Sequence, residues 1–278
     1  MEPAPPTCYR HPDRRAGVIC QRCDRSICPD CMHQASVGFQ CPECARAGRQ
    51  KVIRGRDLRS GGLLATNVLI AVNVAIFVAG MSGGLETRDS LIFDGGLVAR
   101  AFDPSRLELI GVAEGQWWRI FTSGFLHANI IHIGFNCFVL YQLGQLMEPV
   151  LGRLRFGLVY VFALVSGSLG VLILDPNHFT VGASGAVFGM MGAAVAAMRS
   201  RGINPFQTSL GGTILLNLLI TFSLPNISIG GHVGGLIGGF VAGWILTDLG
   251  PSLRRPWLPP ALVGAVGVAL VGGCLAVA

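Results

Sequence analysis

The most informative segment of the chain is IGGHVGGLIGGFVAGWILTDL, residues 229–249. It is apolar except for a histidine near its start and a threonine and an aspartate near its end. A helix needs about 20 mostly apolar residues to cross a bilayer core roughly 30 Å thick. Glycine recurs at every fourth position, at Gly231, Gly235, Gly239 and Gly243. The segment therefore predicts a transmembrane helix with one face of small residues, against which another helix can pack closely.

Six other stretches share this apolar character. The whole chain has 278 residues, of which 51% are hydrophobic and only 13% are charged, which is too apolar for an ordinary soluble protein of this size. The seven stretches cover approximately residues 63–80, 128–147, 154–174, 181–198, 207–224, 229–249 and 257–278, and the fifth is the weakest. The predicted fold class is an all-α, multi-pass membrane protein.

The N-terminal part of the chain differs in kind. Seven of the nine cysteines lie in the first 62 residues, which contain no long apolar run and do not resemble a signal peptide. We predict a small polar domain at 1–46, an Arg-rich linker at 47–62, a six-helix membrane core at 63–250 and a seventh transmembrane helix at 251–278.

Positive charge predicts the orientation of these helices. The basic residues beside the first helix are Arg46, Arg49, Lys51, Arg54, Arg56 and Arg59, opposed by Asp57. Such a cluster stays on the cytoplasmic side, which places the N-terminus inside and the C-terminus outside. The same topology puts three further arginine pairs on the cytoplasmic side, at 153/155, 199/201 and 254/255.

The net charge of +6 has the same explanation. We interpret it as a topology determinant and a contact with anionic lipid, rather than a nucleic-acid site, because no stacking aromatic residues accompany the arginines. A single lysine among 21 basic residues hints at a high-GC bacterium, by composition alone, and the expected location is a bacterial plasma membrane.

The N-terminal cysteines form four closely spaced pairs. They are Cys8/His11, Cys20/Cys23, Cys28/Cys31 and Cys41/Cys44, each separated by two residues. Eight such ligands suit two tetrahedral Zn²⁺ ions, and metal binding would supply folding energy that so short a segment cannot obtain from a core. A disulfide framework is the alternative, against which a reducing cytoplasm argues.

This segment resembles a B-box-type zinc finger. The resemblance implies a cross-braced pairing, in which Cys8, His11, Cys28 and Cys31 hold one structural ion and Cys20, Cys23, Cys41 and Cys44 hold the other. The sequence departs from that family at Cys41/Cys44, where a histidine pair is more usual, and His33 is a further candidate ligand. We expect the domain to recruit a cytoplasmic partner, with sensing of zinc or redox state as the competing role.

Polar residues in the membrane helices point to a functional site, since such groups are costly in a bilayer. Ser184, His232 and the pair His132/Asn136 lie near the starts of the fourth, sixth and second helices. Under the predicted topology these three helices all begin at the non-cytoplasmic face, so the residues share one depth. We expect His232 to face the fourth helix and to activate Ser184 as a nucleophile.

The second helix supplies candidate donors for an oxyanion. His132 and Asn136 are four residues apart, hence on one face, and both can donate a hydrogen bond. His127 lies on a different face and is given a supporting role, and the Ser184 backbone N–H is a further donor. No cofactor is expected for catalysis.

These motifs together resemble the rhomboid family of intramembrane proteases. The matching features are Gly182-Ala183-Ser184-Gly185, Gly231-His232-x-x-Gly235-x-x-x-Gly239, His127-x4-His132-x3-Asn136 and Trp118-Arg119. The resemblance implies a rhomboid-like bundle of six core helices, a Ser184–His232 dyad supported by Gly182, and cleavage of other proteins' transmembrane segments near the outer face.

The sequence departs from the rhomboid motifs at two positions, and two other functions compete with a protease. Phe188 stands where several family members have a tyrosine packed on the histidine, and Gly231 replaces an alanine. A catalytically silent, membrane-protein-binding scaffold is the main alternative to a protease. A transporter or channel is the other, but it would need ionisable residues along a path through the bilayer. We expect Glu148 to be a structural partner of an arginine, with Arg153 and Arg155 as candidates.

Overall fold

The computed structural model describes residues 6–35, 37–47, 62–225, 227–253 and 255–278. The described residues form two compact units that divide between residues 60 and 61. Most of the Arg-rich linker predicted at 47–62, and Arg254 of the last arginine pair, lie outside the described residues.

The first unit is built from short elements around its cysteines. Two antiparallel ribbons pair β1 (Val18–Ile19) with β2 (Ser26–Ile27) and β3 (His33–Gln34) with β4 (Phe39–Gln40), and α1 (Pro42–Ala47) follows. Five of the cysteines and Ile27 make up the buried centre. So small an apolar centre gives little hydrophobic stabilisation, which fits a unit that depends on bound metal.

The second unit is a helical bundle. Its longer helices are α2 (Leu64–Ser82), α3 (Gly84–Gly95), α5 (Ile130–Leu151), α6 (Arg153–Leu174), α7 (Ser184–Arg199), α8 (Ser209–Ser223), α9 (Ile229–Trp244) and α11 (Leu258–Val277). Short helices lie at α4 (Arg119–Thr122) and α10 (Gly250–Ser252), and a π-helical turn at Ile245–Leu249 extends α9. The predicted all-α class is confirmed.

Among the described residues, five helices are long and apolar enough to cross a membrane. They are α2, α5, α6, α9 with its π turn, and α11. The remaining two predicted spans correspond to α7 and α8, which are apolar but have only 16 and 15 residues. Both are shorter than predicted because the flanking residues adopt non-helical conformations, including Gly182 with φ +130° before α7.

The segment between α2 and α5 is folded rather than a simple loop. It contains α3, a hairpin of β5 (Ala101–Asp103) and β6 (Glu108–Ile110), and α4. Arg119 is fully buried in it and donates from Nη1 to the carbonyl oxygens of Phe93 and Gly96, at 2.8 and 2.7 Å. These bonds join α4 to the end of α3.

Glu148 links α5 to the start of α2. Its carboxylate accepts hydrogen bonds from the backbone N–H groups of Ala65 and Thr66, both at 2.9 Å, and from the Thr66 hydroxyl at 2.6 Å. The residue is structural, as predicted, but it caps a helix N-terminus whose first N–H groups have no partner within the helix. Arg155, one of the arginines suggested for it, instead donates to the carbonyl oxygen of Pro256 at 3.2 Å.

Glycine decides how α9 packs. A Cβ on Gly235 or Gly239 would overlap the carbonyl oxygen of Gly185 or Gly189 on α7, so the two backbones touch directly. The contact that the four-residue glycine repeat predicts is therefore present.

A neighbouring face of α9, about 100° around the helix, makes a second contact of this kind, against α6. A Cβ on Gly234 would lie 2.7 Å from the Ser166 carbonyl oxygen, and the Ser166 hydroxyl donates to the Gly234 carbonyl oxygen at 2.8 Å. Helix α9 thus packs on both α6 and α7 through glycines on two adjacent faces.

We predict that Gly239→Ala destabilises the bundle. The added methyl group meets backbone atoms that cannot move aside, and overpacking of this kind costs about 1–3 kcal/mol. Thermal unfolding in detergent should show a lower midpoint. The matched control is Gly264→Ala on α11, where a Cβ would have no neighbour within 4 Å. Equal midpoints for the two variants would contradict the packing described here.

Candidate active site and metal centres

Ser184 is the first residue of α7, at a sharp turn of the chain. Gly182, two residues earlier, has φ +130°, a conformation that side chains other than glycine rarely adopt. Its N–H donates to the Ser123 carbonyl oxygen at 2.9 Å, which anchors the turn. The first N–H groups of a helix have no partner within it, so the Ser184 backbone can still donate to a ligand.

His232 lies in the first turn of α9 and lines the same small cavity as Ser184. The side chain is buried, and its ring stacks on Phe188 with centroids 4.1 Å apart and planes inclined by 15°. Phenylalanine therefore packs on this histidine as an aromatic face without a hydroxyl group. Within the described chain no hydrogen bond joins the Ser184 hydroxyl to the His232 ring, and such contacts often tighten only when a substrate binds.

Thr221 is a residue of this site that the sequence did not single out. Its hydroxyl oxygen lies 2.7 Å from Nδ1 of His232 and 2.7 Å from the carbonyl oxygen of Asn217. A threonine in an apolar helix carries no pattern that predicts a contact 11 residues away. Only the packing of α8 beside α9 brings the two side chains together.

His132 lies against the turn before Ser184. A Cβ on Gly182 would be 2.6 Å from Cε1 and 2.7 Å from Nε2 of His132, and 3.6 Å from the Ser184 hydroxyl oxygen. Glycine at position 182 thus leaves room for the edge of the imidazole ring beside the serine. Two of the residues singled out in the sequence, His132 and Ser184, meet across this glycine.

Asn136 and His127 are buried near His132. The Asn136 amide donates to the His132 carbonyl oxygen at 3.0 Å, which uses one of its two N–H groups. The His127 ring meets the His132 ring edge to face, at 5.1 Å and 66°. Neither ring nitrogen of His127 has a hydrogen-bond partner among the described residues.

The cysteines and His11 of the first unit form two compact groups. They are Cys8, His11, Cys28 and Cys31, and Cys20, Cys23, Cys41 and Cys44, with the ligand atoms of each group all within 4.8 Å of one another. These are the two sets that the zinc-finger resemblance implies. Among the described residues His33 is in neither group and lies exposed in β3.

The spacing within each group suits a tetrahedral metal. Zn–S bonds of about 2.3 Å and Zn–N bonds of about 2.0 Å place ligand sulfurs roughly 3.8 Å apart and sulfur and nitrogen roughly 3.6 Å apart. Cys23 and Cys41 have their sulfurs 3.8 Å apart, and Nδ1 of His11 lies 3.4 and 3.5 Å from the sulfurs of Cys28 and Cys31. The residues present can hold a metal ion in both groups.

The local backbone favours the thiolate form of Cys8 and Cys20, one in each group, whereas burial raises the pKa of Cys31 to about 11 and the hydrogen bond with Cys41 raises that of Cys44 to about 12. Burial acts to raise the pKa of the Cys8 thiol, but hydrogen bonds from the backbone of Arg10, Cys28 and His11 outweigh it and lower the pKa to about 6. Burial likewise opposes ionisation of Cys20, whose pKa the backbone of Cys41 and Arg22 helps to lower to about 6. A thiolate is the form that binds a metal.

The fold and site define a multi-pass, helical membrane protein with a serine and a histidine in one cavity. Comparison with known proteins identifies a domain that it contains. Residues 114–249 match the model of the rhomboid domain. The chain contains a rhomboid domain and is a homologue of rhomboid proteases.

Similar proteins come from distant organisms. The chain is 33% identical over 188 residues to "Rhomboid protease GluP" of Bacillus subtilis, covering 66% of this chain and 35% of that one. It is 34% identical over 167 residues to "Rhomboid-like protease 1" of Toxoplasma gondii, covering 57% of each chain. It is 42% identical over 81 residues to "Rhomboid-related protein 3" of Homo sapiens, covering 29% and 20%. The chain spans less than two thirds of the length of these relatives.

Proposed function

We propose that this chain is an intramembrane serine endopeptidase, in which Ser184 is the nucleophile and His232 the base. The observation that carries the proposal is that both side chains line one cavity. They come from α7 and α9, two helices whose backbones are in contact at glycine residues. Two rhomboid relatives whose names describe proteases, from Bacillus subtilis and Toxoplasma gondii, point the same way. The substrates would be membrane proteins cleaved within or beside a transmembrane segment, near the outer face.

The chemistry follows from the side chains. Nε2 of His232 takes the hydroxyl proton as Oγ of Ser184 attacks the substrate carbonyl carbon. The tetrahedral intermediate collapses as the same proton passes from His232 to the leaving amine, which breaks the peptide bond. Water, deprotonated by His232, then attacks the acyl-enzyme ester and releases the carboxylic acid and the free serine.

We assign oxyanion binding to His132, Asn136 and the Ser184 backbone N–H. The His132 ring lies beside Gly182 next to the serine, and the Asn136 amide retains one N–H after bonding to the His132 carbonyl oxygen. Donors placed before the charge develops stabilise the transition state most effectively. His127 would support the His132 ring from its face.

We further propose the orientation in the membrane. The positive-inside rule applied to the arginine pairs puts the N-terminus in the cytoplasm and the C-terminus outside, in a bacterial plasma membrane. The site then opens to the outer side, because Ser184 and His232 lie at the starts of helices that run inward. The first unit would face the cytoplasm, where reduced thiols can bind metal.

We assign two structural Zn²⁺ ions to the first unit, one to each four-residue group. A set of three cysteines with one histidine, and a set of four cysteines, are the ligand sets of structural zinc sites. The ions would hold the two short ribbons together and take no part in peptide hydrolysis. The unit would bind a cytoplasmic partner or the cytoplasmic tail of a substrate.

The central test is Ser184→Ala, assayed on a panel of single-pass membrane substrates. Cleavage by the purified protein should fall at least about a thousandfold, because the nucleophile is lost. The matched control is Ser200→Ala at the other end of the same helix, where the hydroxyl only bonds to the Ala197 carbonyl oxygen. Product formation by wild type that does not depend on Ser184 would refute the protease. Absence of any product would instead favour the alternative, a silent scaffold.

The metal assignment predicts a stoichiometry. Elemental analysis of the purified chain should find two zinc ions, and Cys28→Ser and Cys41→Ser should each remove one of them, because they belong to different groups. Cys137→Ser, in α5 and outside both groups, should leave two. Loss of both ions from either single variant would show that the groups do not bind metal independently.

The role of the first unit predicts a dependence on the substrate. A chain without residues 1–50 should cleave substrates with a cytoplasmic tail several-fold more slowly in cells, because the tail is no longer bound. It should cleave isolated transmembrane peptides in detergent as fast as the full chain does. Unchanged cleavage of every substrate would contradict recruitment.

A further inference from the structure

Thr221 lies at the meeting point of α8 and the candidate catalytic histidine. It is 2% exposed, and its hydroxyl oxygen is 2.7 Å from Nδ1 of His232 and 2.7 Å from the carbonyl oxygen of Asn217, one turn earlier on α8. A hydroxyl group has one proton to donate and can accept on its lone pairs. The two contacts together therefore determine where the protons lie.

The proton of Thr221 must point at Asn217. A carbonyl oxygen only accepts, and two oxygen atoms 2.7 Å apart repel unless a proton lies between them. Thr221 thus donates to Asn217 and accepts from His232. Nδ1 of His232 carries a hydrogen, and in the neutral ring Nε2 is then the nitrogen with a free lone pair.

This is the tautomer that a Ser–His dyad requires. The base must present an unprotonated nitrogen to the serine hydroxyl, and in catalytic triads a carboxylate bonded to the other ring nitrogen holds that arrangement. Among the described residues, the hydrogen-bond partner of the His232 ring is the neutral Thr221. Phe188 stacks on the ring face and restricts its tilt, but a phenyl ring cannot distinguish one nitrogen from the other.

We propose that Thr221 is a positioning residue that fixes the Nδ1–H tautomer and the ring orientation of His232, in place of the carboxylate of a triad. The inference rests on the proposed role of His232 as the base. It adds a residue from α8, a helix whose outward side chains are largely exposed, to a site otherwise built from α5, α7 and α9.

Three variants of the full chain test the inference. Thr221→Val keeps the shape of the side chain and removes the hydroxyl. It should lower kcat about tenfold with KM unchanged, because the hydrogen bond that orients the His232 ring in the reacting complex is lost. Thr221→Ser retains a hydroxyl that can bond to both partners and should restore most of kcat. Thr213→Val, which removes a hydroxyl bonded to the Ser209 carbonyl oxygen on the same helix, should leave kcat unchanged.

A measurement that needs no activity accompanies the kinetics. The ring nitrogens of ¹⁵N-histidine-labelled protein in detergent report the tautomer, and the His232 signals are identified by their loss in His232→Ala. Wild type and Thr221→Ser should show a protonated Nδ1 and an unprotonated Nε2. Thr221→Val should show a mixture of tautomers, whereas Thr213→Val should match wild type.

The outcomes separate the inference from the proposed function. If Thr221→Val keeps the wild-type kcat and tautomer while Ser184→Ala is inactive, the positioning role is wrong and the protease stands. If wild type shows no Ser184-dependent cleavage, the protease fails, and the spectra alone decide whether Thr221 sets the tautomer. If Thr221→Val lowers kcat/KM only by raising KM, Thr221 acts on substrate binding, and the inference is overturned.

Discussion

The close approach of α9 to α7 and α6 is the contact on which the rest of the bundle depends. Glycine at positions 235 and 239 allows the α9 backbone to touch carbonyl groups of α7, and Gly234 does the same toward α6. With no hydrophobic effect between helices in lipid, such van der Waals contact is a main source of association. It also sets the distance between the starts of α7 and α9, which are the two positions that carry Ser184 and His232.

The residues around the site are each required for a different physical reason. Gly182 is needed because its backbone has positive φ and because the His132 ring occupies the space of a side chain. Phe188 supplies a flat surface for His232, and Thr221 supplies a polar contact at one edge of the ring. Among the described residues His232 thus has no charged hydrogen-bond partner, which suits a site placed within a bilayer, where an unpaired carboxylate would be costly.

The two units obtain their stability in different ways. The helical unit buries a large apolar core that includes Tyr160, Met190 and Met191. The first unit has a small centre made mainly of cysteines, and its ribbons are only two residues long. The proposed metal ions would supply folding free energy that this centre lacks, and the stability of one unit need not follow that of the other.

The fold class could be predicted from the sequence, because the length and polarity of a transmembrane helix are set by the residues of that segment alone. The seven apolar stretches, the four-residue repeat from Gly231 to Gly243 and the paired cysteines all carry their meaning within one segment. The bilayer and the metal impose these patterns directly, without reference to the rest of the chain. The ends of α7 and α8 were placed less well, since turns such as the one at Gly182 depend on contacts with Ser123 and His132.

Only the tertiary structure decided which side chains meet. In it, Glu148 binds the N-terminus of α2, and glycines 230, 234 and 238 form a second interface with α6. Thr221 contacts His232. None of these contacts has a sequence signature, because each joins residues on separate helices whose rotation is set by packing. The sequence by itself determined a polytopic helical protein and placed its candidate site residues near the starts of three helices. The tertiary structure determined how the histidine is held.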